Sequence, residues 1–408
     1  MGHGWTRINT DQKGRNLADI VDSFNLHQAI GGTATCRQLS AAFYARVGRD
    51  PVLRPLFPGK TLKCAIEEFA AFLAQFLGGP PEDAQRRWWL SLRESHLRFE
   101  IGQKERNAWM KNMVQALDDV PMEEAARSAL RDLFERSSAY VVNVGPAPAG
   151  AADEGGPSDR IHAEVCRRWS AQRALDEAVA AVHSGSTSHA IALTEGATLQ
   201  AYFHGNRSVF AALLAVMIAR GDAAMVEYVR EKLVADPALA QARYSGRTLL
   251  HAAAAAGNLA ILELLLGLGA APDMTDDGGH TPLYCVANEC QAPGGADVVR
   301  ALAHAGANVA AADGVKRCTA LHMAARRGNV EVAEALLDCG AGIEARDSVR
   351  DTPLRRAVNC NKADVAALLV SRGADMHSTG SKGLTPVLAA RTDAMARVFS
   401  MSQPKTRG

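Results

Sequence analysis

The chain has 408 residues, room for at least two domains. Apolar residues make up 48% and charged residues 22%, which excludes a largely disordered chain. With 45 Lys and Arg against 44 Asp and Glu, the formal net charge is +1, too balanced for a general nucleic-acid binder.

Residues 1–25 read as an N-terminal tail. They carry no apolar run, so no secretory signal is expected. Gly2 and Thr6 match the myristoylation pattern, which is too permissive to carry a reading. From 26 to 144, apolar residues recur at helical spacing: Leu39, Phe43 and Val47; Phe69, Phe72, Leu73 and Phe76; Trp109, Met113 and Leu117; Leu130, Leu133, Phe134 and Tyr140. Turn signals at Gly31-Gly32, Phe57-Pro58-Gly59 and Gly78-Gly79-Pro80-Pro81 separate them, and no strand-like alternation competes. This block is expected to be all-α.

Residues 145–160, rich in Pro, Gly and Ala, read as a flexible linker. A helical connector is expected over 161–205: Ile161, Val165, Trp169, Leu175, Val179 and Val182 share a helical period, and a polar patch follows at 184–190. Residues 206–400 form a periodic array with capping ends, and 401–408 a tail. The longest strongly apolar stretch, Ser208 to Ala219, is 12 residues, too short to span a membrane. The eight Cys form no CxxC pair and no CxxCH, which leaves zinc ribbons, thioredoxin chemistry and covalent haem attachment unsupported. A reducing compartment, the cytoplasm, is expected.

The periodic array repeats a short signature. Thr248-Leu-Leu-His-Ala-Ala, Thr281-Pro-Leu-Tyr, Thr319-Ala-Leu-His-Met-Ala-Ala, Thr352-Pro-Leu-Arg-Arg-Ala and Thr385-Pro-Val-Leu-Ala-Ala recur at spacings of 33, 38, 33 and 33. A second apolar helix follows in four of the copies (Leu259–Leu266, Val298–Ala303, Val330–Leu337, Val365–Val370), each ending in Gly-Ala. The pattern resembles the ankyrin repeat, with its period of about 33 and its TPLHxA signature. The five extra residues of the longer copy are placed in the loop near Gln291–Gly295. Val209–Ala219 and Ala223–Leu233 pair as an N-terminal cap without the signature, and the last copy dissolves after Ala390 as the other cap. His251 and His322 fall at the TPLH position and are expected to bond neighbouring turns rather than a metal.

In the first block the decisive residue is His96, in Ser91-Leu-Arg-Glu-Ser-His-Leu-Arg-Phe-Glu-Ile101. Around it stand Gly31-Gly32, Phe43-Tyr44, Asp50 to Phe57, Phe72-Leu73, Gly78-Gly79-Pro80, Phe99, Ile101 and Glu105 to Trp109. This order and spacing resembles the truncated haemoglobins, specifically the group with a distal Trp. The resemblance implies an all-α, two-on-two helical globin followed by the linker and the ankyrin solenoid. It implies non-covalent haem b, with His96 as the proximal iron ligand. Phe57 would lie on the porphyrin face, Tyr44 and Trp109 would offer donors on the distal side, Ala65 would leave an open gate, and Phe69 would narrow the pocket. Glu68 departs from the pattern, since a carboxylate there repels a propionate. Lys63, Arg86 and Arg93 remain the alternatives for the missing charge. Trp88-Trp89 is assigned only to packing between helices.

Three functions follow. The first is a haem globin that binds O2, CO or NO, coupled to an ankyrin protein-interaction array as a sensor or localised ligand binder. The second is an oxidoreductase, either a peroxidase or a nitric oxide dioxygenase. The third is a haem-free ankyrin adaptor. No flavin or nicotinamide fingerprint supplies electrons, and no catalytic residue is assigned, so binding is preferred to catalysis. The survival of His96, Tyr44, Phe57 and Trp109 in register weighs against the adaptor. For the array, Arg326, Arg327 and Arg356 are expected to line the inner face with Met323 and Asn359, and to meet an acidic protein partner. Lys316, Arg317 and Arg350 are expected near the finger tips.

Overall fold

The structure, a computed structural model, describes residues 25–57, 59, 61–80, 91–145, 160–380 and 383–401. Among them, helices α1 (Leu26–Ala29), α2 (Gly32–Val47), α3 (Lys63–Phe76), α4 (Leu92–His96), α5 (Gln103–Asp119) and α6 (Glu124–Tyr140) precede α7 (Arg160–Ser184), α8 (Thr187–Glu195) and α9 (Ala197–Gly205). The described residues fall into two compact units. One takes those within Met1–Ala84 and Phe99–Arg168, the other those within Gln85–Arg98 and Trp169–Gly408.

In the first unit α2 packs on α3, α5 packs on α6, and α2 meets α5, so two helix pairs share one core. The helical period dictates which side chains enter it. Leu39, Phe43 and Val47 repeat every four residues along α2, as Met113 and Leu117 do along α5, and all five are at most 1% exposed. Leu73 of α3 and Leu130 of α6 complete the contact. Each such burial contributes about 1.5–3 kcal/mol.

In the second unit, α10 (Arg207–Arg220) and α11 (Ala223–Ala235) open a stack of helix pairs. These are α12 (Leu249–Ala256) with α13 (Leu259–Gly267), α14 (Pro282–Glu289) with α15 (Gly295–His304), α16 (Ala320–Arg327) with α17 (Val330–Asp338), α18 (Pro353–Asn359) with α19 (Ala363–Ser371), and α20 (Pro386–Ala389) with α21 (Asp393–Met401). First helices stack on first helices from α10 to α20, and second helices on second helices from α11 to α21. One apolar core runs through both layers, from Leu175 on α7 to Phe399 on α21. This is the solenoid expected of ankyrin repeats, in which no single repeat buries its own apolar face.

The signature residues build each joint. Thr281, Thr352 and Thr385 cap their helices, their Oγ1 atoms accepting from the N–H three residues on at 3.2, 3.3 and 3.3 Å. His251 Nδ1 accepts from Thr248 N–H at 3.1 Å, and its Nε2–H donates to the His280 carbonyl of the next repeat at 3.2 Å. His322 repeats this with Thr319 N–H (3.2 Å) and the Asp351 carbonyl (3.1 Å). Arg355 takes the same bridge, Nη1 donating to the carbonyls of Leu384 and Thr385 at 3.1 and 2.7 Å. Where the first helix ends, the chain turns left-handed: Gly257 and Gly328 have φ of 68° and 84°, and Asn361 serves one repeat later at 55°.

Within the polar patch at 184–190, α8 begins at Thr187. One expectation is corrected. The last copy does not dissolve after Ala390: α21 follows, because Met395 and Phe399, one turn apart, are buried against the stack at 1% and 5% exposure. The longer copy carries its extra residues between α14 and α15, as the spacing implied. Most of the linker, the Gly2/Thr6 pattern, Arg86 and the Trp88-Trp89 pair lie outside the described residues.

Candidate functional site

The first unit gathers aromatic rings from five elements. Tyr44 on α2 stands edge-on to Phe57, centroids 5.5 Å apart at 90°, and 6.2 Å from Phe69 on α3. Phe43 touches Tyr44, Phe69 and Trp109 on α5 at 5.1, 5.9 and 5.2 Å. Phe134 on α6 completes the ring of contacts, 6.3 Å from Phe69 and 5.6 Å from Trp109. Edge-to-face pairs of this kind add about 0.5–1.5 kcal/mol beyond their burial. Tyr44 therefore meets both Phe57 and Phe69, whereas Trp109 joins them through Phe43 and Phe134. Phe134 was not singled out from the sequence, where it is one apolar residue in a helical period. Ala65 is half-buried on α3, one turn before Phe69.

Polar contacts hold this wall in place. Asp50 Oδ1 accepts from the N–H groups of Val52 and Leu53, both at 2.9 Å, and Oδ2 accepts from Asn112 Nδ2 on α5 at 2.8 Å. Burial opposes its ionisation, but these bonds outweigh it and hold its carboxyl below the ordinary range. The turn that Asp50 starts leads to Phe57. There Arg54 donates from Nη1 to the Phe57 carbonyl and from Nη2 to the Gly59 carbonyl at 2.7 Å. Phe99 lies 6.2 Å from Phe57, and its carbonyl accepts from Asn143 Nδ2 at 2.8 Å while Ile101 N–H donates to Asn143 Oδ1 at 2.9 Å.

His96, the last residue of α4, is half-buried in the second unit. Its Nδ1 lies 2.7 Å from the Leu92 carbonyl. A carbonyl only accepts, so Nδ1 carries the proton and Nε2 the lone pair. Ser95 Oγ, 2.9 Å from Nδ1, donates to the same carbonyl at 2.7 Å. This is the reverse of His251 and His322, whose Nδ1 atoms accept and whose Nε2–H groups donate. Burial, helped by Arg98, pushes the imidazole below its ordinary range, and the Leu92 bond opposes them. A neutral imidazole whose Nδ1–H is held by main chain is the form that binds a metal through Nε2.

The residues expected to meet a partner separate. Arg326 and Arg327 are exposed at the end of α16, Arg327 Nε donating to Asn288 Oδ1 at 3.1 Å. Arg356 is not available in the same way. Its Nε donates at 2.7 Å to Asp347 Oδ2, which Nη2 also approaches, because the carboxylate beneath it is buried and needs a counter-charge. Met323 is buried at 3%, and Asn359 donates to Asp351 Oδ2 at 3.3 Å. Lys316, Arg317 and Arg350 are exposed at the finger tips, the two Arg at φ of 53° and 65°.

A bacterial-like globin family model matches residues 25–143, and an ankyrin model of three repeats matches 212–313 and 290–380. The group 2 truncated hemoglobin YjbI of Bacillus subtilis is 35% identical over 121 residues, covering 30% of this chain and 91% of that protein. The human ankyrin repeat and SOCS box protein 16 is 33% identical over 182 residues, 43% of this chain. The human SH3 and multiple ankyrin repeat domains protein 2 is 34% identical over 145 residues, 36% of this chain. The chain spans only 38% and 8% of those two proteins. Among the described residues no helix is long and apolar enough to cross a membrane.

Proposed function

Because the chain belongs to the bacterial-like globins, with ankyrin repeats fused after the globin region, we propose that it is a haem protein that binds a diatomic gas and docks a protein partner through its repeats. The observation that carries the reading is the bond from His96 Nδ1 to the Leu92 carbonyl, which presents Nε2 as a neutral donor. His96 would hold the iron of a non-covalent haem b. Of the remaining residues, Phe57 and Phe69 would offer the group apolar faces, and Ala65, half-buried one turn before Phe69, would add little bulk. Among the described residues no three His, Cys, Asp or Glu side chains converge. A single imidazole suits an iron already held by a macrocycle, not a bare ion.

Haem, when bound, would supply the iron that takes O2, CO or NO. Tyr44 and Trp109 supply donors: the phenol and the indole N–H favour a ligand that carries partial negative charge. Ala65 supplies none. Optical spectra of the ferrous full-length protein, alone and with O2 and CO, test the reading. A Soret band that responds to both gases is expected, and His96→Ala should abolish the normal ferrous spectrum. An unaltered spectrum and CO affinity in that variant would remove His96 from the iron.

For the repeats, the partner proposed is an acidic protein surface. Its support is the pair of exposed guanidinium groups of Arg326 and Arg327, which can each bind a carboxylate in a two-pronged manner.

A further inference from the structure

What holds α4 in place bears on His96, and the inference rests on the proposal that His96 is an iron ligand. A five-residue helix does not persist by itself, so its orientation is imposed from outside. Its first N–H groups have no helical acceptor. Ser91 Oγ accepts from Glu94 N–H at 3.1 Å. The two preceding N–H groups go to one carboxylate on α7: Asp176 Oδ1 accepts from Leu92 N–H at 3.0 Å and Oδ2 from Arg93 N–H at 3.2 Å. Two oxygens on two successive N–H groups fix the rotation of the helix start as well as its position. One acceptor would leave a pivot.

The carboxylate is itself well held. Asp176 is 3% exposed, and Gln172 Nε2 donates to its Oδ1 at 2.8 Å. A second tie joins the same two helices, His183 Nδ1 to Glu94 Oε1 at 2.7 Å. On either side of Asp176, Leu175, Ala178, Val179 and Val182 enter the apolar core that continues through the repeat stack. Leu92 joins the two ends of this arrangement. Its N–H is taken by Asp176, and its C=O holds His96 Nδ1.

We propose that Asp176 is a positioning residue for His96. Through the Leu92 main chain it sets the tilt of the imidazole, so the helix that enters the repeat core would set how that ring meets the iron.

The test uses the haem-loaded full chain in its ferrous, ligand-free form. Resonance Raman reads the iron–histidine stretching band of wild type, Asp176→Ala and Asp176→Asn. The Ala variant loses both acceptors, and the Asn variant keeps one oxygen. A shifted, broadened band is expected for Ala and a smaller shift for Asn. Haem transfer to an excess of a haem-free acceptor globin should be about tenfold faster for Ala, the equivalent of about 1.4 kcal/mol. Should Ala fail to fold, as judged by circular dichroism, the Asn shift carries the test alone. A folded variant with the wild-type band and wild-type haem release overturns the positioning role. Absence of a Soret band in the wild-type protein would overturn the haem reading itself, a separate outcome seen before any variant is made.

Discussion

Arg356 and Asp347 lie nine residues apart and form an ion pair inside one repeat, with the carboxylate buried at 4% and the guanidinium partly open to solvent. Asp347 also accepts from the N–H groups of Val349 and Asp351 at 2.9 and 3.0 Å, so it organises the finger turn as well as the pair. Removing Arg356 leaves that carboxylate buried without its counter-charge. Arg356→Ala is expected to destabilise the repeats by about 2 kcal/mol, below the cost of breaking a fully buried pair because main-chain bonds remain. Arg326→Ala, on an exposed site, should stay within about 0.5 kcal/mol. Urea unfolding followed by circular dichroism compares them, and equal midpoints would show that the pair contributes nothing.

The two joint-forming histidines make the repeats sensitive to acid. Burial pushes His251 down to about 4, against the His280 carbonyl bond, and lowers His322 in the same way. The folded state therefore keeps these imidazoles neutral where the unfolded chain takes up protons below about 6.5. More protons on the unfolded chain means stability lost as pH falls from about 6.5 towards 4, with no further loss from His251 below that. His251 alone accounts for about 3 kcal/mol across the window. Urea midpoints at pH 7, 6 and 5 should fall steadily in wild type and less in His251→Gln. A parallel fall in both would assign the acid sensitivity to other groups.

On the proposed gas-binding side, loss of a donor should speed release of O2 far more than of CO. A hydrogen bond to a charged acceptor is worth about 1.5–3 kcal/mol, so Tyr44→Phe or Trp109→Phe should raise the O2 dissociation rate by about one to two orders of magnitude. CO carries less negative charge and should change by a few-fold at most. Stopped-flow displacement measures both rates, and matching effects on the two gases would point to a steric cause.

For the repeats, a synthetic peptide rich in Asp and Glu is the direct probe. Charge reversal at Arg326 and Arg327 should weaken its binding about tenfold or more at low salt, and added salt should narrow the difference. The haem spectrum should not move. Binding that survives the reversal unchanged places the acidic partner elsewhere.

The repeats were legible because their signals are local. Thr to His spans three residues, so Thr248, His251, Thr319 and His322 announce their bonds in the sequence itself. The aromatic wall was legible in part: Tyr44, Phe57 and Phe69 came from pattern, while Phe134 belongs to the cluster only because α6 packs on α5. The pairing of Arg356 does not show in its position along the helix, since it depends on a buried carboxylate contributed by the preceding finger turn. Asp176 had no signal at all. Its partners Leu92 and Arg93 are 84 and 83 residues away, and an acidic residue within a connector helix reads as solvated until the fold brings it under another helix.

Arg355 has a consequence for how the stack comes apart. Its bridge to Leu384 and Thr385 is made by a guanidinium, which only donates, whereas a proton added to His251 or His322 takes up the Nδ1 lone pair that holds the Thr248 or Thr319 N–H and leaves the Nε2–H bridge in place. A solenoid is a row of neighbours, each joint contributing its own share. Acid therefore loosens the Thr caps of the two histidine repeats inside the row, while the Arg355 clasp at its C-terminal end has no acceptor to lose.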